Sequence, residues 1–194
     1  MTPSRTSENL EFVVRWDEPE PRGTAAEATR GRLVVRLGES LLWGESVDGS
    51  EPGIDWTWIE LLEHLAREWN CLLHDEGDPL GLGVSPNCLR LEAEKRWAGM
   101  AADQRDREVG ELCAFEEVHD LSLALQGIWV PSMWIVRSGR QFVVTSEHQI
   151  CHVAIDVVTR ALTKIGDTIA ARIENLRDER AEIALANWKA REQS

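Results

Sequence analysis

A β-hairpin followed by a long helix, both in the C-terminal half, constrains the fold of this chain more than any other feature. Two short apolar runs, at residues 133–137 and 141–145, lie on either side of a Ser-Gly-Arg tripeptide centred on Gly139. A three-residue loop with glycine suits a hairpin, because glycine takes a positive φ without strain. From about residue 155 into the 180s, apolar residues at helical spacing predict a long amphipathic helix. Its apolar stripe consists of Val158, Leu162, Ile165, Ile169, Ile173 and Leu176.

The rest of the chain predicts further strands and helices. Apolar residues alternate with polar ones at residues 10–16 and 33–37, and residues 40–44 can return as a third strand after a turn at Gly38-Glu39, which predicts an antiparallel meander. The remaining helices are predicted over residues 55–73, with Asp55 as N-cap, and over residues 89–117, with a break near residues 101–103 and last turns that extend to about Gln126. The expected fold class is therefore α+β, with a small antiparallel sheet of meander plus hairpin packed against several helices.

The same patterns predict the domain organisation. Residues 1–9 are polar and are expected to be a disordered lead-in. Residues 10–176 are expected to form a single α+β domain. Residues 177–194 are predicted to be a charged helical C-terminal extension, which is either solvated or a docking surface.

Charge and composition exclude several classes of partner. The 194 residues carry a formal net charge of −13, and binding to free nucleic acid requires a basic face, so direct nucleic-acid binding is not expected. Neither a signal peptide nor a run of 18 apolar residues is found, which predicts a cytoplasmic protein without membrane association. Four scattered cysteines fit reduced thiols in that compartment.

His148 and His152 are the best candidate metal ligands. On a helix, histidines four residues apart share a face and can bind zinc. Gln149 stands where the His-Glu-x-x-His motif has its general base, and glutamine cannot accept that proton. In a strand the two histidines would lie roughly 13 Å apart. We therefore interpret them as ordinary polar residues.

His119 and Cys113 could join His148 and His152 in a zinc site, since this set of ligands is chemically permitted. Nothing in the sequence places the four residues together. No nucleophile elbow, phosphate loop or Cys-x-x-Cys motif is present. We expect no catalytic residue, no metal and no cofactor.

Tryptophan is the unusual component of this chain, with nine Trp, no Tyr and three Phe. Trp56 and Trp58 lie two residues apart at the start of a predicted helix, so they point to different sides and one of them would be exposed. Together with Trp43, Trp129 and Trp134, they indicate a groove for a partner. Packing in the core is the alternative for each of them. The interaction candidates are Trp43, Trp56, Trp58 and Trp188.

The hairpin and the last helix also resemble a known family. Residues 134–139, 142–146 and 155–173, together with 55–69, are similar to the region that precedes the peptidase domain in some bacterial ImmA/IrrE-type proteins. In that family the zinc peptidase carries His-Glu-x-x-His further along the chain. No position here matches that motif, so no catalytic residue is carried over. The resemblance implies a module of a stress-response, mobile-element or defence locus without the enzyme.

The function expected from these observations is a non-catalytic protein-interaction or regulatory module. Its partner would be another protein, such as a nucleic-acid-processing enzyme or a separate peptidase subunit, and its acidic surface would steer association. One alternative is a metal-dependent hydrolase centred on His148 and His152. Another is an acidic mimic of nucleic acid that inhibits a DNA- or RNA-binding protein, although the arginines mixed among the carboxylates argue against it.

Overall fold

The computed structural model describes residues 5–7, 9–43, 52–125, 127–128, 130–146 and 149–192. Over these residues the chain forms two four-stranded sheets and six α-helices, which confirms the α+β class. The strands are β1 (Arg5–Ser7), β2 (Leu10–Trp16), β3 (Arg30–Leu37), β4 (Ser40–Trp43), β5 (Ile54–Thr57), β6 (Trp134–Ser138), β7 (Gln141–Thr145) and β8 (Ile150–Ala154). The helices are α1 (Ala25–Ala28), α2 (Ile59–His74), α3 (Leu89–Trp97), α4 (Ala102–His119), α5 (Ile155–Ile173) and α6 (Glu179–Ala190).

The N-terminal sheet contains the predicted meander of β2, β3 and β4, all antiparallel. A fourth strand, β5, pairs with the first half of β3 and was not predicted. Asp55 lies in this strand opposite Arg32, which donates two hydrogen bonds of 2.8 and 2.5 Å to its carboxylate. The prediction of Asp55 as a helix N-cap is therefore wrong, because strand pairing and this ion pair hold the residue. Helix α2 begins later, at Ile59.

The second sheet has the strand order β1-β8-β7-β6 and stays separate from the first. Its β6–β7 hairpin was predicted, and Gly139 takes a φ of 58° in the turn, but Ser138 pairs with Gln141, so the loop has two residues and not the predicted three. Strand β8 was not predicted, since residues 150–154 resembled the entrance of a helix. Arg5–Ser7 pairs in parallel with β8, so the expected disorder is wrong for these three residues. Residues 1–4 and 8 lie outside the described residues.

Helix α5 packs against β2 of one sheet and against β7 and β8 of the other, and also contacts α2. Its predicted stripe is confirmed, because Val158, Leu162, Ile165 and Ile169 are all buried. Burial of an apolar stripe against two sheets supplies much of the driving force for folding, at about 25 cal/mol for each Å² removed from water. The main core therefore lies between the apolar face of this helix and the two sheets.

The C-terminal segment differs from the prediction in two ways. Helix α5 ends at Ile173, and α6 restarts after Asp178, whose Oδ1 accepts a hydrogen bond of 2.9 Å from the Ala181 amide. Helix α6 packs against α2 and α5 and buries Ala181, Ala184 and Trp188. One face of this helix therefore belongs to the core, because its alanines allow a close approach to α2, so the segment is not a fully solvated extension.

Helices α3 and α4 form a smaller second cluster with the loop that precedes them. Leu80, Leu89, Ala93 and Leu112 are buried there. None of the described helices has the length and apolar character needed to cross a membrane.

Candidate functional site

Three of the four tryptophans proposed for an interface are buried in the core. Trp43 is 1% exposed, Trp58 0% and Trp188 2%. Each indole N–H donates to an internal acceptor, as buried indoles usually do. These acceptors are Pro131 O at 2.8 Å, Gly31 O at 2.8 Å and Asp167 Oδ1 at 2.9 Å, respectively. The structure thus corrects the prediction that Trp43, Trp58 and Trp188 contact a partner.

Trp56, the fourth of these tryptophans, is still accessible to a partner. Its side chain is half-buried, and its Nε1 donates a hydrogen bond of 2.8 Å to Glu60 Oε2. Gly127 lies beside the ring, since a Cβ on this glycine would be 3.6 Å from it. Trp56 is therefore an anchored aromatic side chain with one accessible side.

The candidate metal ligands do not form a described cluster. His148 lies outside the described residues, and His152 lies on strand β8, so the pair does not share a helix. His119 is fully buried with its Nδ1 2.9 Å from Ile135 O, and Cys113 has its Sγ 3.5 Å from Arg90 Nη2. Within the described part of the chain, no three His, Cys, Asp or Glu side chains are grouped so that they could hold a metal ion.

A short 3₁₀ turn after α4, Leu121–Ala124, carries the feature that the sequence analysis missed. The turn is fixed by Asp120, which is 4% exposed. Its Oδ1 accepts hydrogen bonds from Ser122 N at 3.0 Å, Ser122 Oγ at 2.6 Å and Met133 N at 3.2 Å. Aspartate is among the best capping residues for such a turn. The Leu121 amide also donates to Met133 O at 2.9 Å, so the turn is bound to the chain just before β6.

Leu123 projects from this turn and is 51% exposed. It lines two cavities, one of about 470 Å³ and one of about 200 Å³. The first cavity is lined by Asn87, Arg90, Glu116, Asp120, Leu123, Ser132 and Trp134. The second is lined by Glu60, Glu63, His64, Arg67, Leu123, Ala124 and Arg180. We call the two cavities and the leucine they share the Leu123 groove.

The first cavity carries a net negative charge. Arg90 donates to the Glu116 carboxylate through Nε at 2.8 Å and also through Nη2. This pairing raises the pKa of Arg90 above its usual range. Asp120 also lines the cavity, and its Oδ2 accepts no hydrogen bond from any described residue. The Glu116 carboxylate is therefore neutralised by Arg90, whereas the Asp120 carboxylate is not neutralised.

The second cavity is lined by groups that already have partners. Arg180 donates two hydrogen bonds, of 2.7 and 2.6 Å, to Glu63, and this raises the pKa of Arg180. His64 is buried, with Nε2 3.2 Å from Val118 O. Burial lowers the pKa of His64, which favours the neutral ring. Glu60, which binds Trp56, connects this cavity to the half-buried tryptophan.

The groove combines an exposed apolar side chain with polar walls. Sequence reasoning treated residues 118–126 as the last turns of a helix, so Leu123 was passed over. The signal that could have located the turn is Asp120 followed two residues later by Ser122, which is typical of a capped turn. Comparison of the chain with protein-family models, with curated proteins and with solved structures found no match.

Proposed function

We propose that this chain is a non-catalytic protein-interaction module and that its partner docks on the Leu123 groove. The observation that supports this most strongly is the exposure of Leu123 on a turn whose start is fixed by hydrogen bonds of Asp120 and Leu121 to Met133. A side chain on a rigid turn loses little conformational entropy when a partner covers it. Polar cavities on both sides provide the rim that usually surrounds such an anchor.

One half-buried aromatic side chain extends the groove. Trp56 is hydrogen-bonded to Glu60 of the second cavity, whereas Trp134, beside the first cavity, is 6% exposed and stacked on Phe115. Tryptophan contributes large contact area at interfaces and is frequent among the residues that dominate binding energy. Trp56 belongs to the tryptophans for which the sequence indicated a partner groove, and its partial exposure supports docking at this place.

The proposed partner is a protein with a basic surface. A net charge of −13 disfavours nucleic acid and favours a cationic protein, whose approach it would accelerate. The resemblance to the region that precedes the peptidase in ImmA/IrrE-type proteins supports an accessory role in a bacterial stress, mobile-element or defence system. A nucleic-acid-processing enzyme or a separate peptidase subunit would then be the partner.

The proposal is tested by selecting peptides from a random display library on the immobilised chain. We expect Leu123→Arg to weaken the binding of the selected peptides by about 30-fold, as loss of a dominant contact does. The matched control is Val13→Arg. It adds the same charge on strand β2 of the N-terminal sheet, at a side chain that is 50% exposed. Val13→Arg should bind the peptides as the wild type does. Failure to select any peptide, or equal binding by the Leu123→Arg variant, would contradict the proposal.

A further inference from the structure

Strand β2 forms an open edge of the N-terminal sheet. It pairs with β3 over seven residues, and no described strand pairs with its other side. At one end of this ladder, Gly38 N donates a hydrogen bond of 2.9 Å to Asn9 O. At the other end, Asp17 N donates one of 3.1 Å to Arg30 O. Odd-numbered residues thus form the pairs bonded to β3, since bonded and non-bonded pairs alternate in an antiparallel ladder. The residues whose N–H and C=O groups point away from β3 are Leu10, Phe12, Val14 and Trp16.

These outward groups of β2 have no hydrogen-bond partner among the described residues. A row of open donors and acceptors is a template for a further strand. The side chains of Leu10 and Phe12 are buried on the face that packs against α5, so the edge is held in place. The other described edges are less suitable, because β1, β4 and β5 have only three or four residues and β6 is bridged by Glu76 and Asp120.

The exposed face of β2 carries a pattern that complements itself. Glu11, Val13 and Arg15 lie on this face, and the apolar residue is midway between the opposite charges. When a second β2 runs antiparallel with Val13 opposite Val13, each Glu11 faces Arg15 of the other copy. Even-numbered residues then face even-numbered residues, so their outward N–H and C=O groups can bond to each other. The side-chain pattern and the backbone pattern therefore select the same register.

From this geometry we propose that β2 pairs with β2 of a second copy of this chain, about a twofold axis at Val13. The two N-terminal sheets then form one continuous sheet. Each pair of facing even-numbered residues exchanges two hydrogen bonds. Val13 lies at a non-bonded pair, where facing side chains approach most closely. This interface is distinct from the Leu123 groove, which no residue of β2 lines.

Other alignments of the two strands are disfavoured. A shift by two residues in one direction places Glu11 opposite Asp17, and the opposite shift places Glu11 opposite Val13. A parallel strand in the same register sets Glu11 against Glu11. Like charges directly opposite each other are destabilising. Charges on an edge normally protect it from pairing, so opposite charges at equal distances from Val13 restrict this edge to one antiparallel partner.

Strand β3 extends the complementary pattern. Val34 is opposite Val13, so the interface is centred on a row of two valines from each copy. Arg15 is opposite Arg32, which is already paired with Asp55. In the dimer, Glu11 of the second copy lies on the other side of Arg15 and offsets the two adjacent positive charges.

The two ends of β2 also differ in charge. Asn9 at its start lines a cavity of about 220 Å³ together with Arg160 and Lys164 of α5. Glu18 is exposed just beyond its end, where Arg172 Nη2 donates a hydrogen bond of 2.5 Å to Glu18 O. Antiparallel pairing brings the end of one strand beside the start of the other. The acidic segment of one copy therefore lies beside the basic cavity of the second.

Sedimentation velocity of the full chain over a range of concentrations measures its oligomeric state. We expect an equilibrium between monomer and dimer. Glu11→Arg and Arg15→Glu should each weaken dimerisation by at least about tenfold, because two attractive pairs become repulsive. The matched control is Arg107→Glu, which reverses a charge at an exposed position on α4. This control should dimerise as the wild type does.

The decisive experiment mixes the two weakened variants in equal amounts. In a mixed dimer, the arginines of the Glu11→Arg chain face the glutamates of the Arg15→Glu chain, so both pairs are attractive again. We expect the mixture to dimerise with the affinity of the wild type. Recovery on mixing also shows that both variants are folded.

Amide exchange locates the interface within the dimer. We expect the amides of Leu10, Phe12, Val14 and Trp16 to exchange more slowly in the wild-type dimer than in the monomeric Glu11→Arg variant. The odd-numbered amides of β2 should be protected in both, because they bond to β3. Val13→Arg places like charges at the twofold axis, so it should be monomeric and should still bind the peptides selected for the Leu123 groove.

Four results would overturn this dimer. They are a monomer at every concentration, a dimer that survives both charge reversals, a mixture of the two variants that stays monomeric, and dimerisation that Leu123→Arg abolishes. The last result would place the contact between copies at the Leu123 groove. Failure to select a peptide contradicts docking at that groove and leaves the β2 dimer intact.

Discussion

Trp43 and Trp58 point their indole N–H groups at backbone carbonyls inside the protein, whereas Trp56 gives its N–H to the half-buried Glu60. Those carbonyls lie 88 and 27 residues away along the chain. A local sequence pattern cannot predict a hydrogen-bond acceptor that is so distant along the chain. The composition thus singled out the tryptophans as candidate contact residues, but only the fold shows which of their side chains are exposed.

Trp188 gives the first prediction at the residue scale. Its ring is 5.4 Å from that of Trp69 in an edge-on arrangement, and the Arg191 guanidinium lies 3.6 Å from its centre. We expect Trp188→Ala to lower the free energy of unfolding by about 3–5 kcal/mol, since it leaves a large cavity. Urea denaturation measures this change. A loss below ~1 kcal/mol combined with lost peptide binding would instead place Trp188 in an interface.

At the scale of elements, α5 and α6 fit together because α5 has a glycine where Trp188 lies. A Cβ on Gly166 would come within 2.2 Å of the Trp188 ring. Alanine is normally preferred to glycine within a helix. The close approach of the indole therefore explains a residue that helix propensity alone would disfavour.

The second prediction compares two glycines, each in the middle of a helix. Gly166→Ala should destabilise the protein by about 1–3 kcal/mol, because the added methyl group displaces the Trp188 ring. Gly110→Ala on α4 should stabilise it by up to ~1 kcal/mol, since no atom lies within 4 Å of the added methyl group. Thermal and urea unfolding of both variants provide the comparison. Changes of the same sign would show that α6 does not pack on Gly166.

The strands and helices differ in how far the sequence predicts them. The meander, the β6–β7 hairpin and the stripe of α5 follow from periodicity, because each has a clear apolar face over five or more residues. Strand β5 was mistaken for the first turn of α2, because its pairing with β3 spans the intervening chain. The break between α5 and α6 was missed, since the alanines that α6 buries give no strong apolar stripe.

The candidate site was predictable only in part. Trp56 and Trp134 were among the tryptophans that indicated a partner groove, and both are at the Leu123 groove. Leu123 itself was hidden within a helical pattern. Its exposure results from hydrogen bonds between Asp120 and the chain at Met133, a contact that the local sequence does not encode.

At the scale of the whole molecule, two buried histidines connect its parts. His64 on α2 contacts Val118 O near the end of α4, and His119 at the end of α4 contacts Ile135 O on β6. Burial lowers the pKa of both rings. The folded protein therefore holds them neutral at a pH where the unfolded chain, with histidine pKa values of about 6.5, binds protons.

The third prediction follows from the sign of this difference. Because the unfolded state binds more protons below about pH 6.5, the free energy of unfolding should fall as the pH falls below that value, by up to about 1.4 kcal/mol per pH unit for each histidine. Urea unfolding at several pH values between 8 and 5 measures the slope. The His64→Gln and His119→Gln double variant serves as the reference, since the carboxylates titrate alike in both proteins. Equal slopes in the two proteins would contradict the prediction.

Hydrogen–deuterium exchange of the full chain, with and without a selected peptide, tests docking at the Leu123 groove most directly. We expect the bound peptide to slow exchange in residues 56–64, 119–125 and 132–135, which surround the two cavities. Exchange in β2 should remain unchanged, because no residue of this strand lines either cavity. Slower exchange confined to β2 and β3, with none around Leu123, would show that the partner surface lies elsewhere.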